Sequence, residues 1–161
     1  MKPIKLDQLL ASLDACQAAR DWVAKEKHET LSAAWAACPR GDWMLWLAGK
    51  LSGAPESEGR KRLVLAACEC ARLALPRYEK RYPDDKRVRL CVETAEAWAN
   101  GKATVEQVRE ARRNAAAFDA AAAAAVDAAA ADAAAAAARS KTLAQCADLV
   151  RKHYPKPPRQ S

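Results

Sequence analysis

The chain predicts an all-α fold, a compact multi-helix bundle with Ala-rich, closely packed C-terminal helices. Three observations carry that expectation. Apolar residues recur at helical spacing along most of the 161 residues, with no sustained alternation of the strand type. Residues 115–138 hold nineteen alanines among 24 positions, interrupted by Phe118, Asp119, Val126, Asp127 and Asp132. Alanine is the best helix former and loses no side-chain entropy on folding. Pro, Gly and capping residues then punctuate the chain at helix-length intervals.

The elements follow in order. A first helical segment covers residues 6–25, with a break at 12–14. A second covers residues 30–37 and stops before Cys38-Pro39, because the residue preceding proline disfavours the helical region. Asp42 is the expected N-cap of a helix reaching Leu51, on which Trp43, Trp46 and Leu47 share one apolar face and are assigned to the core. Ser52-Gly53-Ala54-Pro55 ends it. Residues 56–81 read as one long helix, acidic at its start and basic at its end as the macrodipole favours, with Pro76 as a kink or a mark of its last turns. After the turn Tyr82-Pro83-Asp84-Asp85, the clearest helix places Val88, Cys91, Val92, Ala95, Trp98 and Ala99 on one face. Asn100-Gly101 closes it, and Thr104-Val105-Glu106-Gln107 spells a capping box for the next. An unbroken helix over residues 104–150 would span about 70 Å at 1.5 Å per residue, so a break is expected near Asp127, Asp132 or Ser140. The last segment carries Leu143, Cys146, Ala147, Val150 and Tyr154 at helical spacing.

Length predicts a single helical domain over residues 1–154, with residues 155–161 as a disordered Pro-rich basic tail. The net charge of +7 is unevenly spread. Residues 1–59 carry 7 Lys/Arg against 8 Asp/Glu, and residues 60–161 carry 20 against 12. A basic C-terminal portion points to an acidic partner, a protein face or nucleic acid, and weighs against an acidic DNA mimic. The start Met1-Lys2-Pro3-Ile4-Lys5 lacks the apolar core of a secretory signal, so a cytoplasmic chain with reduced thiols is expected. The Ala tract is too weakly apolar, and too interrupted by aspartate, to be read as membrane-spanning.

Little in the chain reads as catalytic. His28 and His153 sit in no recognisable motif, and there is no Walker loop or glycine-rich dinucleotide fingerprint. Cys68 and Cys70 stand two residues apart and face opposite sides of a helix, which does not suit a shared metal. Asp84, Asp85, Glu93 and Glu96 read as caps and a solvated face. Arg40-Gly41-Asp42 reads as a turn rather than an adhesion signal. No catalytic residue, metal or cofactor is assigned. Arg109 and Arg113 share a helix face with Arg112 beside them, a stripe able to meet phosphates or carboxylates.

Two segments carry a family resemblance. Residues 34–47, Ala-Trp-Ala-Ala-Cys-Pro-Arg-Gly-Asp-Trp-Met-Leu-Trp-Leu, form the first. Tyr82-Pro83-Asp84-Asp85-Lys86-Arg87 followed by Ala95-Glu96-Ala97-Trp98-Ala99 is the second. Both resemble motifs of small helical immunity proteins of phages and bacteria, as does the Ala-rich region after them. The resemblance implies an all-α fold and a non-enzymatic binding role, in which a toxin or a host defence complex such as CRISPR machinery is blocked by steric occlusion. It supplies no catalytic residue. On this reading the partner-binding residues are Arg40, Trp43, Arg87, Arg109, Arg112 and Arg113. The alternative is a nucleic-acid-binding accessory protein using the basic C-terminal half, and self-association through the Ala-rich helices is a third expectation.

Overall fold

The computed structural model describes residues 5–126 and 133–158, the side chains of 116–126 and 133–137 excepted. Eight α-helices, and no strand, are found among the described residues. They are α1 (Leu6–Ser12), α2 (Gln17–Lys25), α3 (Leu31–Ala37), α4 (Gly41–Leu51), α5 (Glu58–Arg81), α6 (Arg87–Ala99), α7 (Val105–Val126) and α8 (Ala133–His153). The break expected in the first segment falls at the end of α1, where Asp14 takes a left-handed φ of 62°. The break in the Ala-rich stretch does not fall at Ser140, which is inside α8; Asp127 and Asp132 lie outside the described residues.

Capping explains several boundaries. Thr30 Oγ1 accepts from Ala33 N at 3.2 Å, and Ser57 Oγ accepts from Arg60 N at 3.1 Å, each satisfying a first-turn donor. Thr104 and Gln107 form the reciprocal capping box: Thr104 N donates to Gln107 Oε1 at 2.8 Å and Gln107 N to Thr104 Oγ1 at 3.2 Å. Gly101, at φ 73°, provides the left-handed residue that ends α6. Asp42 does not cap α4. Arg40 holds the N-cap position, and its guanidinium takes the Asp42 carboxylate bidentately at 2.8 and 2.6 Å. The charged fork outcompetes the backbone donors, and Asp42 stays in the first turn, where the macrodipole still favours it.

Helix α5 is the hub, packing on α6, α8 and α4, while α7 packs on α6. The main core joins α4 to α8 and α5 through Met44, Leu47, Ala48 and Leu51, facing Cys146, Ala147, Val150 and Tyr154. The buried stripe of α4 is therefore offset from the one expected. Positions 44, 47, 48 and 51 face inward, Trp43 is half-buried, and Trp46 is 37% exposed. Two overlapping apolar stripes exist on this helix, and the slimmer one lets α8 approach. A second cluster, Leu6, Leu10, Val23 and Ala34, ties α1–α3 together, with Trp22 and Leu31 packed against both.

The C-terminal end of α8 locks these parts. Trp35 Nε1 donates to the Tyr154 carbonyl at 2.9 Å, and Tyr154 Oη donates to the Gly59 carbonyl at 2.6 Å. Arg151 Nη1 donates to the Cys38 carbonyl at 2.9 Å and the Trp35 carbonyl at 3.3 Å. Helix α3 has no following turn to satisfy those carbonyls, because Pro39 follows Cys38. Past α8, Pro157 and Pro158 are half-buried near Leu9, Leu31 and Leu51.

Helix α5 runs through Pro76 to Arg81. Proline has no N–H, so the Arg72 carbonyl loses its helical donor. Pro76 is exposed, and replacing it touches no core contact. Pro76→Ala is expected to stabilise the protein by about 1–3 kcal/mol, read as a higher midpoint in urea unfolding; a lower midpoint would show that packing of α6 depends on the proline.

Candidate functional site

The sequence-predicted contact residues fall on three elements: the start of α4, the start of α6, and α7. Arg40 and Trp43 form one unit at the start of α4. The Arg40 guanidinium lies 4.4 Å over the Trp43 ring, whose centroid is 6.1 Å from Trp22, itself 4.9 Å from His28. Next to them, an apolar cavity of about 50 Å³ opens between α1–α3 and α4. Arg87 sits at the N-terminus of α6, bound to Asp85. Arg109, Arg112 and Arg113 are exposed on α7, with Arg109 3.8 Å from Glu106. Helix α7 packs on α6, whereas α4 packs on α8 and α5.

Two carboxylates near the basic runs are paired with an arginine on another helix. Glu96 accepts from Arg72 at 2.8 and 2.5 Å, tying α6 to α5, and Glu79 accepts from Arg89 at 2.6 and 2.8 Å. Asp85 accepts from the Arg87 guanidinium at 2.9 and 2.8 Å, the Arg87 backbone N at 3.0 Å and Tyr78 Oη at 2.9 Å. The Arg87 guanidinium above all holds the Asp85 carboxyl well below the usual carboxylate range. Arg89 lowers Glu79, Arg72 lowers Glu96 and Arg40 lowers Asp42 in the same way. Among these only Arg40–Asp42 and Arg87–Asp85 are local; sequence reasoning missed the two inter-helix pairs.

A carboxyl whose pKa is depressed in the folded state binds fewer protons there than in the unfolded chain. Its stabilisation is complete above the unfolded value, near 4, and is lost as pH falls through the folded value. The thermal midpoint is therefore expected to drop steadily below about pH 4. Asp85→Asn should flatten that decline, and a midpoint independent of pH between about 5 and 2.5 would contradict the assignment.

Cys38, Cys68, Cys70 and Cys146 are buried, Cys91 is half-buried and Cys16 is exposed. Cys68 Sγ lies 3.7 Å from the Val92 carbonyl on α6, and Cys70 Sγ lies 3.7 Å from the Cys146 carbonyl on α8, so the two do point to different neighbours. Burial pushes the Cys68 thiol up to about 11 and raises Cys38 and Cys70 as well, which leaves little thiolate at neutral pH. His153 Nε2 lies 3.1 Å from Glu69 Oε1, and Lys152 Nζ reaches the same carboxylate at 3.1 and 3.2 Å. Among the described residues no group of three or more His, Cys, Asp or Glu side chains is placed to hold a metal ion, and no helix is long and apolar enough to cross a membrane.

The architecture is thus an all-α bundle with most described basic side chains exposed and four of its six thiols in the core. The chain matches the family described as Imm-5 like putative immunity protein over residues 53–150 and belongs to that family. The match takes in α5, α6 and α7 and all of α8 up to Val150; residues 34–47 lie outside it. No curated protein and no solved structure matches the chain.

Proposed function

We propose that the protein is a non-enzymatic, immunity-type inhibitor that acts in the cytoplasm. It binds a protein target, a toxin or a host defence complex such as CRISPR machinery, and neutralises it by occlusion. The observation that carries this reading is membership of the immunity family across the α5–α8 body of the bundle. The exposed cations of α5–α7 support it, since an excess of one charge steers an oppositely charged partner and suppresses wrong ones.

The test is capture on the immobilised full chain from host lysate, with and without nuclease, read by mass spectrometry. A stoichiometric protein surviving nuclease supports the reading, and restored activity of that protein when the inhibitor is withheld completes it. Recovery of nucleic acid alone, with log affinity falling steeply against log salt, would replace it with the nucleic-acid reading, for which the exposed Arg112 and Arg113 are the natural contacts. Charge reversal of Arg109, Arg112 and Arg113 is expected to weaken capture while the helical content stays unchanged. Unaltered affinity would remove α7 from the interface.

A further inference from the structure

The turn between α5 and α6 is held as a rigid platform. Asp85 gathers Tyr78 Oη, the Arg87 guanidinium and the Arg87 backbone N, as described above. Lys86 Nζ donates to the Pro83 carbonyl at 2.7 Å, and the rings of Tyr78 and Tyr82 lie 5.2 Å apart. An open concavity of about 590 Å³ is walled by Arg81, Tyr82, Lys86, Arg87 and Leu90, together with Pro83, Asp84 and the Arg87-bound Asp85. Leu90 is 56% exposed, more than Leu73 and Trp46, the other exposed large apolar side chains among the described residues. Of its wall cations, Arg81, Lys86 and Arg87 are exposed. The neighbouring carboxylates of Glu79 and Asp85 are bound by Arg89 and Arg87, and Asp84 is exposed.

We infer that this concavity is the docking surface for the protein target, and that it receives an acidic segment which seats one apolar side chain on Leu90. The inference rests on the inhibitor reading and names its contact surface. An apolar anchor ringed by charge is the pattern of an interaction hot spot, in which the rim steers and the centre holds. A turn already fixed by its own hydrogen bonds loses little freedom on binding. The charge selects the occupant. A second copy would bring cations against cations. A nucleic-acid backbone would gain nothing from Leu90. An acidic protein segment uses both the leucine and the surrounding cations, and the surface lies inside the family-matched span.

Two measurements decide it. The first uses fluorescein-labelled probes titrated with the full chain at low salt: a short Asp/Glu peptide with one central Leu, the same peptide with Ser, and a single-stranded oligodeoxynucleotide of equal charge. The Leu peptide is expected to bind about tenfold tighter than the other two. Leu90→Asp should abolish that preference, and the double change Arg81→Glu with Lys86→Glu should weaken all binding. Leu90 and both cations are exposed, so these variants should keep the wild-type circular dichroism, with Ser140→Asp on α8 as the neutral control. Equal binding of the three probes, or a preference that survives Leu90→Asp, would overturn the inference. The second repeats the nuclease-treated capture with Leu90→Asp as bait. Loss of the partner taken by wild type supports the site. Undiminished capture overturns the site and leaves the inhibitor reading standing; no protein captured by wild type overturns both.

Discussion

Gly41→Ala is expected to lower stability by about 3 kcal/mol, near the upper end for overpacking. A Cβ at Gly41 would collide with Cys146 Cβ and come within 2.7 Å of Ala147 N. The obstacle is the α8 main chain, which cannot rotate away as a long side chain would. Gly41 opens α4, and Ala48 and Ala147, both fully buried, continue the small-residue contact between the two helices. An added methyl must push α4 off α8 and loosen the Met44–Val150 packing with it. For a chain of this length the thermal midpoint should fall by about 6–12 °C. Gly49→Ala gives the opposite sign. Its Cβ would sit 3.7 Å from Leu63 Cδ2, an ordinary contact, so mid-helix alanine should stabilise by about 0.5–1 kcal/mol. Equal effects of the two substitutions would show that α4 and α8 do not approach as described.

Trp35→Ala is expected to cost more still, about 3–5 kcal/mol for the lost volume. Trp35 is 3% exposed and belongs to the main core. Its indole N–H is also the donor to the Tyr154 carbonyl. Trp35→Phe separates the two contributions: most of the packing remains, and a buried carbonyl loses its donor at about 1–3 kcal/mol. Against a typical total of about 5–15 kcal/mol, the alanine variant should be largely unfolded at moderate urea where Trp35→Phe is still native. Urea titrations followed by circular dichroism would show this. Matching midpoints for Trp35→Phe and wild type would remove the indole–carbonyl bond from the account.

The comparison of pattern with packing is instructive at particular residues. Thr104 and Gln107 were readable because a capping box is a relation between residues three apart, and the structure closes it with both hydrogen bonds. The stripe Leu143, Cys146, Ala147, Val150 and Tyr154 was readable because each member recurs at helical spacing; the last four are buried and Leu143 is half-buried. The segment Tyr82–Arg87 was visible as a turn, but the role of Asp85 as the clamp on Arg87 and Tyr78 required the fold of the turn. Leu90 carried no signal. It lies off the apolar face of α6, and what surrounds it depends on the turn that brings Arg81 and Lys86 beside it. The pairs Arg72–Glu96 and Arg89–Glu79 join residues 24 and 10 apart, and their existence depends on the register of two helices.

The sequence by itself determined the helices, their stops and the all-α class, because helical periodicity, capping and proline act over a few neighbouring residues. It also carried the resemblance that the family match over residues 53–150 bears out. The tertiary structure alone decided which of two apolar stripes on α4 faces inward, why Trp35 is buried while Trp46 is not, and which cations surround an exposed Leu90. Burial and pairing are properties of surfaces brought together from distant parts of the chain, and no local pattern contains the distance between them.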